Sequence, residues 1–160
     1  MPVPTPTAGL GLAAPKYLVF SEGNRSSAIR IPGYAINEKE ARIEYRLPDT
    51  TGNPYLVLAG MLMAGLDGIK NKIGPKGKGF GPYDVNVYEL SDHEKKKLKL
   101  PPDTFVQALD FLKKDHRFLL EGDVFPEEII QAYIDMKFKK EINMIAGRPH
   151  PYEYELYYDI

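Results

Sequence analysis

The sequence predicts an α+β fold in which short strands come first and helices follow. Three observations carry this. Residues Ala41 to Leu47 alternate apolar and charged side chains with period 2, as a strand with two unlike faces does. Residues 54–73 form a largely apolar stretch, opened by Asn53-Pro54 and closed by Gly74-Pro75, which is helix punctuation. Phe105, Leu109 and Leu112 then recur at i, i+4 and i+7, and a further helical stretch opens at Pro126-Glu-Glu128. Strands followed by a run of helices is the order of an α+β architecture.

Taken in order, residues 1–16 are rich in Pro, Thr, Ala and Gly and read as a flexible or atypical leader. Tyr17-Leu-Val-Phe20 and Ser26 to Ile31 are strand candidates, the second stopped by Pro32-Gly33. In the strand 41–47, Ile43, Tyr45 and Leu47 point one way and Arg42, Glu44 and Arg46 the other. The helix after Asn53 is apolar on every face in its first three turns, so burial is expected. Its Ala59, Gly60, Ala64, Gly65 and Gly68 would permit close approach of neighbouring backbone. Residues 74–102 read as one long Gly- and Pro-containing connection. Asp103-Thr104 caps the next helix, which continues or restarts through Arg117 to Glu121 and stops at Gly122. The last long helix runs from Pro126 towards Ile145 and ends at Gly147 and Pro149. The tail, Tyr152 to Tyr158, is aromatic and partly alternating.

The chain has 160 residues, 43% hydrophobic and 27% charged, which suits one domain or part of one. Lys and Arg total 21 against 22 Asp and Glu, so a general polyanion binder is not favoured. There is no Cys, which excludes disulfides, thiolate metal sites and a Cys nucleophile. No secretory signal is evident in the first residues, and the longest apolar run, Tyr55 to Leu66, is too short to span a membrane. A cytoplasmic setting is the expectation.

Arg42-Ile-Glu-Tyr-Arg46 is the informative stretch. Period 2 lines up two guanidiniums and a carboxylate on one face. They can form a salt-bridged solvent face. The sharper alternative is an anionic-substrate site, in which the arginines grip phosphate or carboxylate oxygens and Glu44 holds a hard divalent cation. Arg25 and Arg30 upstream would add phosphate contacts, and the parts suit phosphoryl transfer. There is no P-loop and no GxGxxG. His93, His116 and His150 lack ligand spacing. Lys95 to Lys99 reads as a solvated loop, and Met61 and Met63 as core packing.

Five blocks in order carry a resemblance: Asn24-Arg-Ser-Ser-Ala-Ile-Arg-Ile-Pro32, Arg42-Ile-Glu-Tyr-Arg-Leu-Pro-Asp49, Asn53-Pro-Tyr55, Met61 to Ile73, and Arg148-Pro-His-Pro-Tyr-Glu-Tyr-Glu-Leu-Tyr-Tyr158. Over residues 17–160 the chain resembles the carboxy-terminal part of the catalytic domain of type I glutamine synthetase. The resemblance implies antiparallel strands followed by helices, incomplete alone. It implies that Arg25 contacts ATP phosphate and the acyl-phosphate region, and that Arg30 and Lys39 contact ATP. Glu44 is implied as a ligand of Mg²⁺ or Mn²⁺, and Arg46 as the group neutralising glutamate and the transferring phosphoryl. Tyr88 stands where some bacterial members are adenylylated, although Val85 replaces the usual basic residue there. An ungapped extension upstream sets Gly11-Leu-Ala-Ala-Pro15 on the family's flap, putting Ala13 in place of its glutamate and Thr7 in place of a substrate arginine.

The family's further metal-ligating carboxylates would lie before residue 1. Two functions are therefore carried forward. One is part of an ATP-dependent glutamate–ammonia ligase, inactive alone and completed by another chain. The other is a non-catalytic paralogue that binds or modulates full-length synthetase. The expected partners are copies of this chain or full-length synthetase subunits. Exposed apolar surface is expected.

Overall fold

The computed structural model describes residues 15–34, 37–76 and 78–159. Nearly all of the leader, including Thr7, Gly11, Ala13 and Ala14 of the flap alignment, lies outside them. The chain divides into two compact units, one up to Thr104 and one from Phe105.

In the first unit, β1 (Phe20–Glu22), β2 (Ile29–Ile31) and β3 (Glu44–Tyr45) form one sheet in the order β1-β2-β3. β2 and β3 are antiparallel, with Ile29 opposite Tyr45 and Arg30 opposite Glu44. β1 and β2 run parallel, with Phe20 opposite Ile29, where antiparallel strands were expected. The connection 23–28 is not a hairpin. Gly23, at φ +94°, turns the chain back to the start of β2.

That loop is held by polar side chains. Asn24 Oδ1 accepts from the Ser26 amide and hydroxyl, both at 2.9 Å. Ser21 and Ser27 hydroxyls meet at 2.8 Å, and each lies within hydrogen-bond distance of the Asn24 carbonyl, at 3.1 and 2.8 Å. Asn24 Nδ2 donates to the Val85 carbonyl, and Ser26 Oγ accepts the Val87 amide at 3.2 Å. The serines at 21, 26 and 27 are buried, and each has its partner.

β1 starts later than the strand expected at 17–20. The Val19 amide bonds the Tyr17 carbonyl at 2.9 Å, a three-residue turn that breaks the extended run. Tyr17 and Val19 instead join Val87 and Leu98 in the buried core, flanked by Tyr83, Tyr88 and Leu90. The free side of β1 takes residues 80–83: Phe20 donates to the Phe80 carbonyl at 2.7 Å and accepts from the Tyr83 amide at 2.9 Å. Gly81 sits in that approach at φ +120°, where an added Cβ would lie 2.5 Å from the Phe20 oxygen. Only glycine fits there.

The expected connection 74–102 holds two short elements. Val87–Glu89 is a 3₁₀ turn capped by Asn86, and α2 (Asp92–Lys95) has a capping box between Ser91 and Glu94. Single turns show no periodicity, so only their caps are visible in the sequence.

Helix α1 spans Pro54–Lys70. Asn53 caps it as expected, its Oδ1 accepting from Tyr55 and Leu56 amides at 3.0 and 3.3 Å. It ends three residues earlier than expected. Ile73 N–H bonds the Gly68 carbonyl at 2.8 Å and Lys72 N–H bonds that of Ile69 at 3.2 Å, a Schellman closure. Lys72, not Gly74, takes the left-handed position, at φ +51°.

Burial of α1 is not observed. Met63 is its buried residue, while Leu58 and Leu62 are each 64% exposed and Ile69 is 78% exposed. Nothing lies within 4 Å of a Cβ built on Gly60, Gly65 or Gly68, so the close approach expected there is absent among the described residues. The sheet shows the same pattern: Ile43, just before β3, is 64% exposed. The expectation of exposed apolar surface holds.

The second unit is helical. It comprises α3 (Phe105–Lys114), 3₁₀ turns over Arg117–Asp123, α4 (Glu127–Lys137), α5 (Asn143–Ala146) and α6 (Pro151–Tyr157). Gly122 breaks the 3₁₀ segment at φ +66°, at the expected stop. Leu109, Leu119, Ile130 and Ile134 are its buried apolar residues. A π turn at Phe138–Ile142 joins α4 to α5 inside the long helix expected from Pro126. Lys137 pairs with Glu141 at that turn, over the Tyr133 and Phe105 rings. The aromatic tail folds as α6, with His150 Nδ1 accepting the Tyr152 amide at 3.1 Å.

Candidate active site

The antiparallel pairing of β2 and β3 fixes the charged cluster. Arg30 and Glu44 are register partners, so their side chains leave the same face of the sheet. Arg30 Nη1 donates to Glu44 Oε2 at 2.7 Å, and Arg46 Nη1 donates to Glu44 Oε1 at 2.5 Å. Arg46 lies just past β3, where its amide bonds the Ala28 carbonyl at 2.9 Å and keeps the register.

The two guanidiniums are well covered, with side chains 14% and 18% exposed, whereas Glu44 is 38% exposed. The hydrogen bond from Arg46 first, then the positive charge of Arg30, holds the Glu44 carboxyl below its ordinary range. Two guanidiniums thus converge on one carboxylate. Arg30 Nε is buried with no hydrogen-bond partner among the described residues. Such a cluster can hold a multiply charged oxyanion, its guanidiniums being oriented before the anion arrives.

Arg42 does not complete the row read from the sequence. Its guanidinium stacks on the Tyr34 ring, 4.7 Å from the centroid. Arg30 takes its place from the neighbouring strand. Period 2 within one strand could not show this, and the signal that could is cross-strand charge pairing between Arg30 and Glu44.

The remaining expected residues sit apart from these contacts. Arg25 is exposed in the 23–28 loop, its backbone held by the Asn24 and serine bonds. Lys39 is exposed in the turn at 38–40. Tyr88 is half-buried rather than an exposed loop residue: its ring lies 6.3 Å from that of Tyr17, and its hydroxyl accepts the Lys16 amide at 3.2 Å.

Glu44 is one carboxylate, and both its oxygens already accept from arginine. Among the described residues no three His, Cys, Asp or Glu side chains gather as a metal site. A hard divalent cation takes about six oxygen ligands, so the described residues do not by themselves fit a resident metal. The histidines are dispersed as expected: His93 is exposed, His116 binds Glu127, and His150 caps α6. No helix among the described residues is long and apolar enough to cross a membrane.

Fold and cluster together define an α+β unit that carries an arginine pair held by one carboxylate on its sheet. Residues 9–157 match the family described as glutamine synthetase, catalytic domain, and the chain belongs to that family. It is 49% identical over 150 residues to glutamine synthetase of Nostoc sp., a match covering 94% of this chain and 31% of that protein. It is also 49% identical over 150 residues to the enzyme of Streptomyces viridochromogenes, again over 94% of this chain and 31% of the relative. A solved structure of Plasmodium falciparum glutamine synthetase superposes with a TM-score of 0.69 at 33% identity, over 92% of this chain and 35% of that one. The chain thus spans about 31% of the length of the curated relatives it matches.

Proposed function

We propose that this chain contributes the phosphate-side arginine cluster of an ATP-dependent glutamate–ammonia ligase, which makes glutamine through γ-glutamyl phosphate. The observation that carries the reading is the Arg30–Glu44–Arg46 cluster in a chain of this family. In phosphoryl transfer the protein's work is largely positioning and charge stabilisation. Arg46 neutralises the glutamate carboxylate and the phosphoryl oxygens, Arg30 and Arg25 hold ATP phosphates, and Lys39 contacts ATP from its turn. Glu44 keeps both guanidiniums aimed and is the carboxylate this chain offers to Mg²⁺ or Mn²⁺. Further metal ligands come from residues outside those described.

On this reading the described residues make no complete site, and the exposed faces of α1 and the sheet meet other parts of a synthetase, from copies of this chain or full-length subunits. The setting is cytoplasmic. One observation favours the second reading, a non-catalytic chain that binds full-length synthetase: among the described residues no three His, Cys, Asp or Glu side chains gather as a metal site.

Mixing the chain with the separately expressed amino-terminal part of the Nostoc relative tests the choice. Glutamine formation with Mg-ATP in the mixture, absent from either part alone, supports the ligase. Stable binding of the two parts without turnover supports the modulator. Turnover by the pure chain contradicts both.

A further inference from the structure

We propose that His116 is a proton-operated latch fastening the carboxy-terminal end of α3 to the first turn of α4. Its Nδ1 faces the Leu112 and Lys113 carbonyls at 3.0 and 3.1 Å, and its Nε2 lies 2.9 Å from Glu127 Oε2. All three partners are acceptors. A neutral imidazole has one N–H, so either tautomer turns a lone pair towards an acceptor. Only the imidazolium donates from both nitrogens. Its charge also suits the end of α3, where unpaired carbonyls gather, as Glu127 suits the start of α4.

The latch closes the connection between the two helices. His116 opens that connection and Glu127 ends it. Between them, Gly122 and Asp123 adopt φ +66° and +56°, so the chain turns sharply there. The charged side chains of the surrounding elements are Lys113, Lys114 and Asp115 after and within α3, Arg117, Glu121 and Asp123 in the turns, and Glu127 and Glu128 on α4. Of these, Glu127 acts on the ring, its hydrogen bond being the largest influence and raising the pKa above the ordinary 6.5. A raised pKa means that the contact is fully present below about pH 6.5 and is lost as pH rises through the folded value.

The test is an NMR titration of the full chain from pH 5 to 9, with His116→Gln for assignment. Amide exchange at Ile129 and Ile130, which bond the Pro126 carbonyl at 3.0 and 3.3 Å, is followed in parallel. The expected result is a His116 midpoint above the ordinary 6.5, lowered in Glu127→Gln. Protection at Ile129 and Ile130 falls through the same midpoint, beyond the intrinsic base-catalysed rise, and Glu127→Gln shows no such step. A His116 midpoint at or below 6.5, or protection that ignores it, overturns the latch.

Discussion

Arg30 on β2 and Glu44 on β3 stand opposite each other in the antiparallel register and meet at 2.7 Å. Arg46 takes the other oxygen of the same carboxylate at 2.5 Å. One carboxylate thus holds apart two guanidiniums that would otherwise repel, and both stay oriented in a largely covered position.

Removing that carboxylate should destabilise the first unit. Glu44→Gln removes the carboxylate charge that both covered guanidiniums share, at a cost of about 1–2 kcal/mol, discounted from a buried pair because Glu44 is partly exposed. The chain has no Trp, so melting by far-UV circular dichroism is the readout. The Glu44 pKa lies below its ordinary 4.5 in the folded state, so its contribution is present above that pH and is lost as pH falls through the lower folded value. Glu44→Gln should abolish this part of the acid sensitivity. A variant melting like the parent at neutral pH, with the same acid profile, contradicts the assignment.

Asn24→Ala removes the acceptor of two Ser26 bonds and the donor to Val85, leaving buried polar groups unpaired. A loss of about 2 kcal/mol is expected. Hydrogen exchange at Val87, whose amide bonds Ser26 Oγ, should accelerate more than exchange within α1. Uniform acceleration would show that Asn24 does not specifically join the 23–28 loop to the 83–87 segment.

Lys72→Gly should stabilise the chain. Lys72 holds φ +51° to close α1, a conformation costing a non-glycine residue roughly 1 kcal/mol. The melting temperature should rise, while Gly74→Ala, outside the Schellman bonds, should leave it nearly unchanged. A lower melting temperature for Lys72→Gly indicates that the lysine side chain, not the backbone, matters there.

Leu58 and Leu62 lie one turn apart on α1 and are both largely exposed. Exposed apolar surface of this kind marks an interaction face or an aggregation liability. Leu58→Ser/Leu62→Ser should reduce self-association in sedimentation velocity. A parent chain that is monomeric at high concentration, with one sharp calorimetric transition, removes the basis for this.

The sequence shows its local chemistry better than its packing. Asn53-Pro54 marked the start of α1, and Gly122 marked the break after Arg117, because caps and breakers act within a few residues. Period 2 puts Glu44 and Arg46 on one strand face. Arg30 stood out as a cation, but its pairing with Glu44 depends on register, which is non-local. Arg42 was placed in the row by period 2 and left it for Tyr34. The apolar sequence of α1 predicts burial, which the described residues do not supply. Periodicity says which residues are apolar, and it cannot say whether a covering element lies within the described residues.

The most direct test of the proposed role is a γ-glutamyl hydroxamate assay on the mixed parts. It uses glutamine, hydroxylamine, ADP, arsenate and Mn²⁺, with parent chain, Glu44→Ala and Arg46→Ala, each shown by sedimentation to bind the amino-terminal part. Hydroxamate formed by the parent mixture and lost in both variants is the predicted result. Activity that persists in Glu44→Ala and Arg46→Ala, or no activity in a fully bound parent mixture, contradicts the role of this cluster in catalysis.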